Sequence, residues 1–199
     1  MTAAAALCVC FLLVAHNGAA QPVGGAAQPS AYRKGSIDWN VIAGGALPVD
    51  LLAARSDRRL SLAAIEVGRI MSGRLGPGAL SGQFELLVQV MPIVVRGPEE
   101  FWGVGISPIF RWSFEGWKSL RPFAELSAGL MLIDWDMPAD GRVGRNFNEQ
   151  MGVGVRIGNP FGRALVAGYR FQHISNGSPD LPSPAVDTHL VYVGMSIMR

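Results

Sequence analysis

The sequence contains no long hydrophobic run, although nearly half of its residues are hydrophobic. Of 199 residues, 49% are hydrophobic and only 16% are charged, whereas an average soluble domain has about 25% charged residues. No segment reaches the roughly 18 consecutive apolar residues that indicate a transmembrane helix. The formal net charge of +2 is too small to favour a nucleic-acid partner. A hydrophobic chain without a hydrophobic helix predicts a transmembrane β-barrel.

Cysteine is also scarce, and both cysteines lie near the N-terminus. Cys8 and Cys10 belong to an apolar run over residues 3–14, which has the length of the hydrophobic part of a secretory signal peptide. Small residues at 18–20 suit a signal peptidase, so residues 1–20 are predicted to be a signal peptide. Because no basic residue precedes the run, a buried N-terminal helix is the alternative. The exported chain would have no thiol, and no disulfide is expected.

A flexible lead-in rich in Gly, Pro and Ala is predicted over residues 21–34. From there on, runs of alternating apolar and polar residues are separated by glycine, proline and charge, which is the period-two pattern of β-strands. The predicted strands cover residues 36–45, 60–71, 80–95, 101–114, 121–134, 146–157, 163–175 and 187–198. Residues 35–199 are therefore predicted to form one eight-stranded antiparallel barrel of the bacterial outer membrane.

The last two segments show two faces of different character. The apolar parity, expected to face lipid, contains Leu165, Ala167, Tyr169, Phe171, Val191, Val193, Met195 and Ile197. The other parity, expected to face the interior, includes Gly168, Arg170 and Gln172. Tryptophans near the predicted strand ends are typical of an interfacial girdle; they are Trp39, Trp102, Trp112, Trp117 and Trp135. Because the chain ends on Arg199 rather than an aromatic residue, a water-soluble eight-stranded barrel with a small ligand is the alternative.

Residues suited to catalysis occur together at one place, the end of the seventh segment. His173 and Ser175 are two residues apart, so in a strand they share a face. Asp187, at the start of the eighth segment, has the parity of the apolar set. A regular hairpin places His173 directly opposite Asp187, with about 4.5–5.5 Å between their Cβ atoms. The spacing is compatible with an acid that orients the imidazole, an imidazole that accepts the serine proton, and a hydroxyl that attacks an acyl carbonyl.

Residues 169–190 resemble the lipid A 3-O-deacylases of the Gram-negative outer membrane, the PagL family. The shared pattern is His-x-Ser-Asn at 173–176, a loop proline at Pro182, and an acid fourteen residues after the histidine, at Asp187. The family acid is usually Glu, which is one methylene longer. The sequence also has Ser183 where the family has a loop asparagine and Ala185 where it has a glycine.

The resemblance implies an eight-stranded outer-membrane esterase whose site lies on the outer barrel surface near the outer leaflet. Ser175 would be the nucleophile, His173 the general base and Asp187 the orienting acid. Asn176, Gly177 and Ser183 are the candidates for stabilising the oxyanion, and Tyr169, Phe171 and Val191 are the candidates for an acyl-chain groove. The implied partners are lipid A within lipopolysaccharide and the lipids of the outer membrane, with a homodimer as a further expectation and no cofactor.

Several features keep alternatives open. His189 shares the outward parity and is either a headgroup contact or an ordinary interfacial histidine; no spacing indicates a metal site. Arginines in two predicted loops could attract lipid phosphates or be solvated loop charges; they are Arg55, Arg58, Arg59, Arg142 and Arg145. A non-catalytic barrel, structural or adhesive with a silent site, is the alternative to the esterase. A soluble hydrolase is disfavoured because no Gly-x-Ser-x-Gly elbow is present.

Overall fold

The structure is a computed structural model that describes residues 32–51, 58–96, 100–115, 119–136, 143–158, 162–177 and 185–199. The predicted signal peptide and most of the lead-in lie outside the described residues. Eight strands account for most of the chain: β1 (Ile37–Pro48), β2 (Arg59–Ile70), β3 (Gly82–Arg96), β4 (Phe101–Phe114), β5 (Leu120–Asp136), β6 (Val143–Gly158), β7 (Arg163–Ser175) and β8 (Val186–Met198). The predicted segments are confirmed, with ends that differ by at most three residues.

The strands form one closed antiparallel barrel in sequence order, and β8 closes it by pairing with β1. Each strand bonds to two neighbours, so the wall satisfies its own backbone polar groups, as a protein in hydrocarbon requires. The start of β1 and the C-terminal residue Arg199 lie at one end, hereafter the termini end. The end of β7 and the start of β8 lie at the other, hereafter the loop end. Among the described residues, a single turn of 3-10 helix over Gly78–Leu80 joins β2 to β3, and no helix is long and apolar enough to cross a membrane.

The outer face of the wall is apolar. Val41, Leu165 and Val193 expose 61%, 61% and 63% of their surface. Trp39 and Trp102 also point outward, in agreement with the aromatic girdle expected from the sequence; Trp117 lies outside the described residues. A continuous apolar exterior is the reverse of a water-soluble surface. The alternative of a water-soluble barrel is therefore wrong.

The interior is filled by an ionic network that spans the barrel. Arg111 bonds Glu66 and Glu125, with a distance of 2.8 Å from its Nη2 to a carboxylate oxygen of each. Arg170 bonds the same two carboxylates at 2.6 Å. Arg156 joins Glu85 to Asp38. All of these side chains are at most 2% exposed, so each charge is matched by partners inside the wall.

The interior changes from polar to apolar along the barrel axis. Toward the loop end, the inward side chains are hydrophobic and buried; they include Leu60, Leu62, Ile93, Val95, Ile133, Ile174 and Val186. Toward the termini end, the Arg121 guanidinium stacks 3.8 Å from the centroid of the Tyr32 ring, and burial raises the pKa of the Tyr32 hydroxyl. The barrel is thus packed like a core along its length rather than open as a channel.

Close packing fixes the residue type at one inward position of β7. A Cβ on Gly168 would lie 2.4 Å from the ring and hydroxyl of Tyr192. The Tyr192 hydroxyl in turn donates to Glu125 at 2.8 Å. Glycine at 168 therefore makes room for a tyrosine that completes the ionic network, and it confirms the inward parity assigned to Gly168, Arg170 and Gln172.

Candidate active site

The β7–β8 hairpin has the register that the sequence predicts, and it determines the site. His173 lies directly opposite Asp187, and Phe171 lies directly opposite His189. Beyond β8, the backbone carbonyl of Asp187 accepts a hydrogen bond of 3.0 Å from the Val49 amide. Asp187 is thus held between two strands of the wall at the loop end.

His173 and Asp187 form a hydrogen-bonded pair between the imidazole Nδ1 and the carboxylate Oδ1. The Asp187 side chain is fully buried, whereas the His173 side chain is 18% exposed. The acid therefore projects from the outward parity, as expected, but lies beneath the imidazole. A carboxylate at Nδ1 favours the tautomer whose Nε2 is unprotonated and able to accept a proton.

Ser175 lies on the same face of β7 as His173, one pleat nearer to the loop end. It is half-buried and lies opposite Phe147 of β6. Within the described part of the chain, no hydrogen bond joins its hydroxyl to His173. The structure thus brings His173 and Asp187 into contact and places Ser175 beside them on the same surface. Apo catalytic hydrogen bonds are often long and tighten only with substrate.

The two residues after Ser175 leave the strand at once. Gly177 has a φ of +76°, a left-handed conformation that glycine adopts without strain. A Cβ at this position would lie 3.0 Å from Cε2 of Phe147. The backbone at Asn176 and Gly177 therefore turns out of the strand next to Ser175. Ser183 lies outside the described residues, and Ala185 is buried immediately before β8.

The outward residues suggested as an acyl-chain groove adjoin this pair. Tyr169 and Phe171 are half-buried and Val191 is 60% exposed. The Tyr169 hydroxyl bonds Nδ1 of His189 at 2.6 Å, so His189 has a defined partner. His189 and Val191 also line a surface groove of about 740 Å³ that runs from β8 over β1 and β2 to β3.

Two residues of this region were missed in the sequence. Glu149 is exposed on β6 directly opposite His173, so carboxylates flank the imidazole on both neighbouring strands. Arg96 lies at the end of β3 in the groove. The outward parity of Glu149 follows from the predicted sixth segment, whereas Arg96 lies just past the end of the predicted third segment. The neighbours of both residues depend on the registers between strands. Arg145 is exposed on β6, and Arg55 and Arg142 lie outside the described residues.

The described residues contain no group of three or more His, Cys, Asp or Glu side chains able to hold a metal ion. The chemistry that the arrangement offers is acid–base and nucleophilic. Enzymes that transfer acyl groups commonly use an imidazole oriented by a carboxylate together with a nearby hydroxyl.

Comparisons with known proteins agree with the barrel fold. The family model described as "Lipid A 3-O-deacylase (PagL)" matches residues 70–196, which is more than half of the chain. The crystal structure of the outer membrane enzyme PagL superposes with a TM-score of 0.59 at 16% identity, covering 79% of this chain and 97% of that one. Neisserial surface protein A superposes with a TM-score of 0.53 at 12% identity, covering 82% and 94%. No curated protein matches the chain.

At these identities the two solved structures show that the barrel fold is shared. The match to the family model shows that the chain is a member of that family. The fold and family place the chain in the bacterial outer membrane, where its apolar exterior faces lipid. The matched region includes β7 and most of β8, and therefore the His173–Asp187 pair. The chain belongs to the PagL family of outer-membrane lipid A deacylases.

Proposed function

We propose that the chain is a serine esterase that hydrolyses the 3-O-linked acyl chain of lipid A. Ser175 is the nucleophile, His173 the general base and Asp187 the acid that orients the imidazole. The observation that carries this proposal is the His173–Asp187 hydrogen bond on the outer face of a lipid-facing wall. A proton-handling pair at such a surface is costly unless it is used.

The reaction proceeds in two steps, acylation of the serine and hydrolysis of the acyl-enzyme. Ser175 Oγ attacks the ester carbonyl carbon while His173 Nε2 takes the hydroxyl proton, and the tetrahedral intermediate collapses to an acyl-enzyme. The departing sugar oxygen takes the proton from His173 and leaves as a hydroxyl. A water molecule then attacks the acyl-enzyme with His173 as base, which releases the fatty acid and restores Ser175.

The developing oxyanion needs a donor close to Ser175. The amides of Asn176 and Gly177 and the Asn176 side chain are the nearest candidates along the chain, and Ser183 is the candidate in the loop. Loss of an oxyanion donor typically costs about 10²–10³ in rate. The serine at 183, in place of the family's asparagine, therefore favours a slower enzyme or a donor from 176–177.

Barrel topology supports the choice of substrate. With the termini end in the periplasm, the connection between β7 and β8 is extracellular. The site then lies at the outer leaflet, where lipid A resides. Tyr169, Phe171 and Val191 would contact the acyl chain, and lipopolysaccharide would be the physiological partner. A homodimer and the export signal at residues 1–20 remain predictions.

Mass spectrometry of lipid A incubated with purified protein tests the activity. The folded wild-type barrel is expected to remove one hydroxyacyl chain, and Ser175→Ala is expected to remove none. If the folded wild-type protein leaves lipid A intact, the esterase proposal is wrong and the non-catalytic barrel is the better account. A mobility shift on heating in detergent gels verifies that both proteins are folded.

A further inference from the structure

The groove beside the active site ends in two arginines that face each other. Arg59, the first residue of β2, lies directly opposite Arg96, the last residue of β3. Both are exposed and line the 740 Å³ groove. Like charges directly opposite on neighbouring strands are destabilising, so this pair calls for an anion between the two guanidinium groups.

Among the described residues, little negative charge lies beside this pair. The carboxylate that these residues place next to Arg96 is Glu100, at 3.5 Å from its Nε, and both side chains are about two-thirds exposed, which makes the pair weak. Within the described ranges, Arg59 makes no ion pair. Two guanidinium forks on adjacent strands suit a tetrahedral oxyanion, because each fork can donate two parallel N–H bonds to it.

The groove extends from this pair to His189 on β8, close to the proposed catalytic residues. His189 lies two residues from Asp187 and bonds Tyr169 of β7, while Leu47 of β1 lies directly opposite His189. From His189, Arg59 is two strands away and Arg96 three, or about 10 and 14 Å at the usual spacing of strands. The floor between them is apolar, with Ala46 and Leu60 buried beneath it.

The groove has a basic end and an apolar floor, and the proposed esterase site lies next to its other end. These features suit a ligand that carries a phosphate, a lipid part and an acyl ester. We propose that Arg59 and Arg96 form a phosphate clamp that binds a phosphate group of the lipid A molecule whose ester lies at His173 and Ser175. The inference rests on the proposed function and adds a substrate preference to it: phosphorylated lipid A binds more tightly than its dephosphorylated form.

Binding can be measured without hydrolysis. The Ser175→Ala protein in detergent micelles is mixed with bisphosphorylated lipid A or with the same lipid after removal of its phosphates, and complexes are counted by native mass spectrometry. We expect at least about tenfold tighter binding of the phosphorylated lipid, the effect of one charge-assisted interaction. Arg59→Gln/Arg96→Gln in the same background is expected to abolish the difference.

Matched variants separate the clamp from general charge. Arg33→Gln/Arg163→Gln removes two exposed arginines at the termini end and is expected to keep the preference. Arg59→Lys/Arg96→Lys keeps the charge without the forks and is expected to keep only part of it. Equal binding of both lipids by the parent protein overturns the proposal, as does an undiminished preference in the Gln variant. The proposal is also overturned if phosphatidylglycerol displaces bound phosphorylated lipid A as effectively as free phosphorylated lipid A does.

Hydrolysis by the protein with Ser175 intact is then compared for the two lipids. Failure to cleave either lipid, with clamp-dependent binding retained, refutes the esterase and leaves the clamp standing. Cleavage of both lipids at the same kcat/KM, without a binding preference, refutes the clamp and leaves the esterase standing.

Discussion

The inside and the outside of this barrel both pair basic side chains with carboxylates, but they do so in different ways. Inside, Arg111, Arg156 and Arg170 each bond at least two carboxylates and are almost fully buried. Outside, His173 bonds a single buried carboxylate with one ring nitrogen. Its second nitrogen has no bonded partner among the described residues. The charged groups of the interior network are therefore all paired and structural, whereas the outer pair retains the capacity to accept a proton.

The largest expected effect tests the outer pair. His173→Ala removes the proposed base, and a triad without its base typically loses about 10⁴-fold or more of its activity. The barrel should still fold, because His173 is not part of the interior network, although the buried Asp187 carboxylate loses its hydrogen-bond partner. The measurements are the rate of lipid A deacylation and the heat-dependent gel mobility. Loss of the folded band in His173→Ala would contradict the division between inside and outside.

Substitution of the acid should lower the rate of deacylation less than substitution of the base. A longer acidic side chain at position 187 should keep or raise the rate. Asp187→Asn keeps the shape but no longer favours the useful tautomer, so deacylation should fall by about 10²–10⁴-fold. Asp187→Glu, which restores the residue usual in the family, should retain or raise the rate. Asp187→Ala should lower it sharply. Equal rates for all forms would remove Asp187 from the mechanism.

Glu149 provides the matched control for the acid. It lies opposite His173 on the other neighbouring strand but makes no hydrogen bond to it among the described residues. An exposed charge of this kind is worth at most about 1 kcal/mol, so Glu149→Gln should change the rate by about fivefold at most. A loss as large as that of Asp187→Asn would show that the wrong carboxylate has been assigned.

The interior network should respond in stability rather than activity. Arg111→Met leaves Glu66 and Glu125 with one fewer cation, and breaking a buried ionic network of this kind costs about 3–5 kcal/mol. Urea titration of the protein folded into lipid vesicles measures this loss. Adding Glu66→Gln should recover part of it. A folded Arg111→Met protein of wild-type stability would argue that the network is not what holds the interior together.

A small effect is also expected at the turn after the serine. Gly177→Ala must fit a side chain at a φ of +76° against the Phe147 ring, a strain of about 1 kcal/mol. The rate of deacylation should fall by less than about tenfold, with the barrel intact. Phe147→Leu in the same protein should relieve the contact but not the backbone strain, and therefore restore the rate only in part.

The wall and its hairpin site could be predicted from the sequence because both depend on local rules. Period-two alternation fixes the parity of His173, Ser175 and Asp187, and antiparallel pairing of adjacent strands leaves few registers that keep this parity. The opposition of His173 and Asp187 follows from these two facts.

The interior network and the phosphate clamp could not be predicted in this way. Arg170 finds Glu66 across 104 residues of sequence, and no pairing of adjacent strands reveals that contact. The clamp depends on the register between β2 and β3, because Arg59 was expected in a loop and lies instead at the start of a strand. Nor does parity reveal that Asp187 would be buried beneath the imidazole, since burial there depends on the packing of neighbouring side chains.

The packed interior has a consequence for how any ligand arrives. Since the barrel has no edge and its centre is filled from Tyr32 to the hydrophobic residues at the loop end, the described residues leave no passage through the barrel to His173. A lipid must approach by sliding within its own leaflet, and a released fatty acid departs the same way. The encounter is therefore two-dimensional, and its frequency follows the surface density of the lipid rather than any concentration in bulk water.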